Sequence, residues 1–248
     1  MSIVSFNDNG DRQPDEYGVS EFDALGQRKS PSVKTRSLKS RTELRLRLLA
    51  GGWTPLLNEF KRPMLSDWPK LEITEQLIKS WDRERNTLTT GLRLAGGLVV
   101  FDWDIDADVA IDLYRDVLNA FPRLTSSLKR TGKGNKEAWV LRCEAEIRRI
   151  ATSAFKNPDP DKKPLMLEIL AGSGRQIAGF GPHSEGVEYT WHCNDDGTPR
   201  SPETVPLADV AIISKGQVCE VVDWTQRWLE DAGFEVLSKE GAGETTSS

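Results

Sequence analysis

The sequence predicts an α+β fold, with an early αβ part and a later, mostly antiparallel sheet flanked by helices. Three observations predict it. The stretch before Pro122 and the one around 217–231 carry apolar side chains at the helical period. Short strand-like runs separated by turn residues fill the chain from 137 to 191. Ahead of them lies Gly97-Leu98-Val99-Val100-Phe101-Asp102-Trp103-Asp104, an apolar run closed by two acids.

Residues 1–38 are polar, rich in Ser, Asp, Gly and Lys/Arg, and are expected to form a disordered arm. A helix is expected from near Thr42, carrying Leu44, Leu48 and Leu49 and stopping at Gly51-Gly52. Trp53-Thr54-Pro55-Leu56 reads as a strand fragment and Lys61-Arg62-Pro63-Met64 as a loop. Thr74 can cap a second helix with Leu77, Ile78 and Trp81 on one side. After the strand ending at Asp104, Asp106 or Asp108 can open a third helix. Its apolar positions are Val109, Leu113 and Val117, with Ala110, Tyr114 and Phe121, and Pro122 ends it. Strands are expected at about Glu137–Arg142, Leu165–Leu170, Arg175–Phe180 and Val187–Trp191. Asn157-Pro158-Asp159-Pro160 and Asn194-Asp195-Asp196-Gly197 separate them as turns or loops. A last helix, about Gln217–Asp231, places Val218, Val221, Val222, Thr225, Trp228 and Leu229 inward. A folded domain over 39–237 and a flexible tail over 238–248 follow from this division.

Hydrophobic residues make up 38% and charged residues 29% of the 248, a globular balance. No run approaches the roughly 18 apolar residues of a membrane span, and a soluble, cytoplasmic protein is expected. Cys143, Cys193 and Cys219 are far apart and odd in number, which suits neither a disulfide framework nor a zinc knuckle. The net charge of −5 hides local basic stretches. Gln27 to Arg47 holds eight Lys/Arg against Glu43, and Arg123 to Arg149 holds eight against Glu137, Glu144 and Glu146. Such stretches bind phosphates even on an acidic protein, because exposed charges act within a Debye length. A solvated helix face is the ordinary alternative.

Asp102 and Asp104 are two apart in a strand and so share a face. Two like charges held that close are unfavourable without a cation between them, and a hard divalent ion takes such oxygen ligands. The plain alternative is a turn or N-cap acid. Glu168 sits in the otherwise apolar run Leu165-Met166-Leu167-Glu168-Ile169-Leu170. A carboxylate there needs an Arg, a metal or an exit to solvent. It either joins Asp102 and Asp104 from an adjacent strand or marks a half-exposed edge.

Together these pieces resemble the bifunctional DNA primase/polymerase (prim-pol) domain of the archaeo-eukaryotic primase superfamily, in a phage- or plasmid-type variant. The resemblance runs from about Leu44 to Trp191. It is carried by Gly52-Trp53-Thr54-Pro55-Leu56, by Lys61-Arg62-Pro63-Met64 with Asp67-Trp68, and by Asn86-Thr87 through Gly91-Leu92-Arg93 into the acid pair. The closing motif is Leu167-Glu168-Ile169-Leu170-Ala171-Gly172-Ser173-Gly174-Arg175-Gln176-Ile177-Ala178, then Gly181-Pro182-His183-Ser184 and Tyr189-Thr190-Trp191. Many members carry a histidine motif between the two acid motifs. Here that region is Arg130-Thr131-Gly132-Lys133-Gly134-Asn135-Lys136-Glu137-Ala138-Trp139-Val140-Leu141-Arg142, without histidine.

The resemblance implies an N-terminal αβ module and an RRM-like sheet module with the active cleft between them. It implies template-directed nucleotidyl transfer, with Asp102, Asp104 and Glu168 holding Mg²⁺ or Mn²⁺. Lys133, Lys136, Arg142, Arg175 and His183 would orient the nucleoside triphosphate, and Arg130, Arg148 and Arg149 would contact the nucleic acid. The implied partners are a DNA template and primer and a replicative helicase. A primase-fold module that binds nucleic acid without catalysis is the alternative, as is a scaffold in which the acids pair with arginines.

Overall fold

A computed structural model describes residues 38–81, 89–194 and 197–237, with side chains from Arg41 onward. The arm expected before residue 38, the tail from 238, the Asn86-Thr87 element and Asp195-Asp196 lie outside the described residues.

The described chain runs α1 (Leu38–Ala50), β1 (Pro55–Glu59), β2 (Arg62–Pro63), α2 (Glu75–Ser80), β3 (Thr89–Arg93), β4 (Leu98–Asp104) and α3 (Ala110–Ala120). It continues through β5 (Leu128–Thr131), β6 (Glu137–Arg142), β7 (Ile150–Ala151), β8 (Met166–Ala171), β9 (Gln176–Phe180), β10 (Thr190–Cys193) and α4 (Lys215–Asp231). Helices and antiparallel sheets make an α+β fold. One sheet has the order β2-β1-β3-β9 and the other β10-β5-β6-β4-β8-β7.

The larger sheet is covered on both faces, which is why β4 is apolar at nearly every position. Val99, Phe101 and Trp103 join Trp139, Leu141, Leu167 and Ile169 against α3 and α4. Leu98 and Val100, pointing the other way, join Ala138, Val140 and Leu128 against Leu44, Leu48, Trp53, Leu92 and Ile177. The second group comes from α1, the segment after it, and the smaller sheet. Val218, Val221, Val222, Thr225 and Leu229 form the buried stripe of α4. A capping box between Ser214 and Gln217 starts that helix.

Several expectations are corrected. Helix α1 begins by Leu38, not near Thr42. No side chain caps α3, which starts at Ala110 after a turn and leaves Asp106 and Asp108 outside it. Lys61-Arg62-Pro63-Met64 is a tight hairpin and not a loop. β5 pairs with β6 inside the basic stretch, where no strand is expected before Glu137, and β10 lies two or three residues later than expected. β3 was missed because Thr-Thr-Gly-Leu-Arg carries a glycine in its middle. Gly91 is needed there, since a Cβ would come within 2.5 Å of Asn58 Nδ2 and 2.7 Å of Gln176 Oε1. β9, expected in the later sheet, pairs with β3 in the smaller one. The chain therefore crosses back to the small sheet after β8, and the two sheets are not successive in sequence.

Candidate active site

On the face of β4 that carries Leu98 and Val100, the next two residues are Asp102 and Asp104. The apolar cover ends with Val100. The two acids instead line a cleft of about 620 Å³ with residues from both sheets, among them Lys61, Arg130, Lys136, Ala178 and His183. Register sets the neighbours of Asp102. Glu168 stands opposite it on β8 and Ala138 on β6. Ala138 faces Arg130 on β5, which faces Trp191 on β10. Residues directly opposite across antiparallel strands share a face, so one row reads Trp191, Arg130, Ala138, Asp102, Glu168.

The small side chain of Ala138 leaves room for the Arg130 guanidinium to reach towards Asp102, with Nη2 4.0 Å from Oδ1. Arg130 Nη1 donates to the Ala178 carbonyl at 2.6 Å, and the guanidinium lies 4.8 Å from the centre of the Tyr189 ring. Burial pushes the Asp102 carboxyl above its ordinary value. Arg130 opposes that shift, Asp104 adds to it, and Lys61 and Glu168 act more weakly in opposite senses. Arg130 Nε and the Tyr189 hydroxyl are buried with no hydrogen-bond partner among the described residues.

Each of the three expected acids has a cation at hand. Lys136 Nζ is 2.5 Å from Asp104 Oδ1, and Arg149 Nε donates to Glu168 Oε1 at 2.7 Å. Glu168 thus shares the face of Asp102 but is turned towards Arg149 and does not line the cleft. Among the described residues, no three His, Cys, Asp or Glu side chains converge as ligands of one metal ion as they stand. The donor chemistry nevertheless fits a hard divalent cation, because Asp102, Asp104 and Glu168 offer carboxylate oxygens only, on one face of β4 and β8.

The rim is cationic. Lys133, on the β5–β6 turn, is ion-paired with Glu185, which pulls the Glu185 carboxyl down and raises the Lys133 ammonium. The Lys61 ammonium is lowered by desolvation and by Arg130, with Asp102 and Asp104 acting against the shift. His183 Nδ1 accepts a hydrogen bond from the Glu185 amide at 3.3 Å. Desolvation first, then Lys61, hold its imidazole below the usual value, which favours a neutral ring bearing its proton on Nε2. Lys162 and Lys163 also line the cleft, with Lys162 Nζ 3.5 Å from Asp106 Oδ1.

The structure therefore gathers Asp102, Asp104, Arg130, Lys133, Lys136 and His183 in one cleft. It does not bring Arg142 or Arg175 there. Arg142 shares the face of Ala138, but it is four residues along β6, about 13 Å away at strand rise. It donates to the Ala208 carbonyl at 3.2 Å. The length of the strand separates it from the triphosphate role that the resemblance implies. Arg175 is exposed in the turn before β9, and Arg148 is exposed beside Arg149. Sequence reading assigned no site role to Lys61, Asp106, Lys162, Gln176 or Tyr189. The alternation Asp102-x-Asp104-x-Asp106 was a usable signal for Asp106, whereas nothing near Lys162 in sequence ties it to β4.

A family model described as bifunctional DNA primase/polymerase, N-terminal (Prim-Pol), matches residues 45–208, about two thirds of the chain and every residue lining the cleft. A search of curated proteins found no match.

Proposed function

Because the chain belongs to the Prim-Pol family, we propose that its cleft catalyses metal-dependent, template-directed nucleotide addition. Asp102, Asp104 and Glu168 would hold one or two Mg²⁺ or Mn²⁺ ions. The observation that carries this reading is the placement of three carboxylates on one face of β4 and β8, where the apolar cover stops and a lysine-rimmed cleft begins. A divalent cation bound there would lower the pKa of an attacking 3′-hydroxyl and offset charge on the α-phosphate and the departing pyrophosphate.

The chain's own groups do the rest. Lys136 and Arg149 pair with Asp104 and Glu168, which keeps a repulsive cluster tolerable. Lys136, on the flexible stem of its four methylenes, is within reach of a triphosphate that enters beside Asp104. Lys61 and Lys133 add charge on the same side. Arg130, fixed by the Ala178 carbonyl and the Tyr189 ring, is a rigid donor whose Nε has no hydrogen-bond partner among the described residues. A neutral His183 with its proton on Nε2 would offer the triphosphate one more hydrogen bond. Arg148 and Arg175, exposed outside the cleft, suit contacts to strand phosphates that are sensitive to salt and indifferent to sequence. The setting this reading implies is replication of a phage, plasmid or integrated element in the cytoplasm, beside a replicative helicase.

Primer extension with Mg²⁺ or Mn²⁺ tests it. The wild-type protein should extend a primer on a DNA template, and Asp102→Asn, Asp104→Asn and Glu168→Gln should each abolish extension without unfolding the protein. Tight DNA binding with no incorporation under any metal condition would leave a binding module in place of the polymerase.

A further inference from the structure

The β1–β2 hairpin turns on two residues, Phe60 and Lys61, between Glu59 and Arg62. The favoured two-residue hairpin loops need positive φ at the first loop position and take Gly, Asn or Asp there. Phe60 occupies it with φ +50°, a left-handed conformation that disfavours any residue with a Cβ. The ring does not recover this through burial. It is 38% exposed and belongs to none of the three hydrophobic clusters of the described residues. Strain retained at an exposed aromatic points to a role outside folding.

The tip is held in place. Gln176 Nε2 donates to the Lys61 carbonyl at 2.7 Å, and Asn58 Nδ2 donates to Gln176 Oε1 at 3.0 Å. Asn58 is fully buried, so this short chain of bonds ties the hairpin tip to β9. Lys61 lines the cleft that contains Asp102 and Asp104, whereas Phe60 does not. The ring therefore stands outside the cleft between the exposed Glu59 and Lys61, with the exposed Arg62 opposite Glu59 across the hairpin.

We propose that Phe60 is a stacking platform for an unpaired base of the template strand, with Arg62 binding a neighbouring phosphate and Lys61 marking the edge of the cleft. The inference rests on the reading of the cleft as a site of templated nucleotide addition. An aromatic face bordered by cations is the combination that holds single-stranded nucleic acid without regard to sequence. Two exposed cations against the single acid Glu59 favour a polyanion over an apolar protein partner. The position outside the cleft assigns the ring to the strand, because an incoming nucleotide would lie among Lys133, Lys136 and Asp104.

Single-stranded DNA carrying 2-aminopurine at successive positions tests this, because stacking quenches that base. The full chain would be titrated as wild type, Phe60→Ala, Phe60→Gly and Phe60→Trp. Phe60→Gly is the decisive variant, since glycine suits the turn and its thermal midpoint should be equal or higher. Wild type and Phe60→Trp should quench the probe. Phe60→Gly and Phe60→Ala should lose the quench and bind about fivefold or more weakly, the lower end of what one base stack contributes. Wild-type affinity and quench in a folded Phe60→Gly protein would overturn the platform while leaving the cleft reading intact, and would turn attention to a protein partner. A wild-type protein that neither binds the oligonucleotides nor extends a primer would overturn the cleft reading and the platform with it.

Discussion

Arg130→Ala should destabilise the protein, and part of that loss should be recovered by removing the charge of Asp102. The Arg130 side chain is only 14% exposed, and its donation to the Ala178 carbonyl is a charged hydrogen bond of 2.6 Å. Losing such a bond costs about 1.5–3 kcal/mol, and losing the guanidinium over Tyr189 about 0.5–1 kcal/mol more. Release of a largely desolvated cation offsets some of this, so about 2 kcal/mol is expected. The charge on Asp102 supplies the coupling. Two unit charges 4.0 Å apart attract by about 1 kcal/mol in water and about 4 kcal/mol at an effective dielectric of 20. Asp102 is 39% exposed, so a coupling near the lower end, about 1 kcal/mol, is expected. Urea denaturation of the wild type, both single variants and Arg130→Ala/Asp102→Asn at pH 7 measures it. Asp102→Asn alone should be neutral or stabilising, because burial already raises that carboxyl. It should stabilise the Arg130→Ala background by about 1 kcal/mol more. The pH dependence has a definite sign. A carboxyl raised in the fold contributes stability that is full below its unfolded value and is lost as pH rises through its folded value. The advantage of Asp102→Asn should therefore grow with pH over that window and vanish below it. Additivity of the two substitutions within about 0.3 kcal/mol would refute the electrostatic pairing.

Lys136→Ala should raise the KM for nucleotide about tenfold, or 1.4 kcal/mol, in steady-state primer extension. Arg142→Ala should leave that KM unchanged and lower the thermal midpoint, because Arg142 holds the Ala208 carbonyl away from the cleft; a raised KM there would contradict the placement of β6. Gly97→Ala should cost about 1–3 kcal/mol in chemical denaturation, since Gly97 has φ +78° and a Cβ would meet the Cys143 carbonyl oxygen at 2.7 Å. His183 has a lowered value in the fold, so protonation opposes folding and its contribution is lost as pH falls through the unfolded value of an imidazole. His183→Gln should accordingly flatten the loss of stability between pH 7 and pH 5, and an unchanged slope would show that the ring is not desolvated. Ser214→Ala should remove the capping box of α4 and cost about 1 kcal/mol, read as a lower urea midpoint.

Local patterns in the chain were enough to determine the helices α2, α3 and α4, the strands β4, β6 and β8, and the pairing of acids on one face of β4. Those features depend on side-chain period and on single caps such as Thr74, whose hydroxyl accepts from the Leu77 amide, and both are written in neighbouring residues. The family resemblance was legible for the same reason, since it consists of short motifs in a fixed order. What only the tertiary structure decided is which elements meet. β9 leaves the large sheet for the small one, a choice made by its pairing with β3 across more than 80 residues of sequence. That crossing brings Gln176 and Ala178 to the cleft and anchors both Lys61 and Arg130. It is equally a matter of three dimensions that Arg149 covers Glu168 and that Arg142 ends up a strand length from Asp102. Strand period says which side of a sheet a residue occupies, whereas its distance from a site depends on register and on where the second layer stops. Neither is encoded within the span of a local motif.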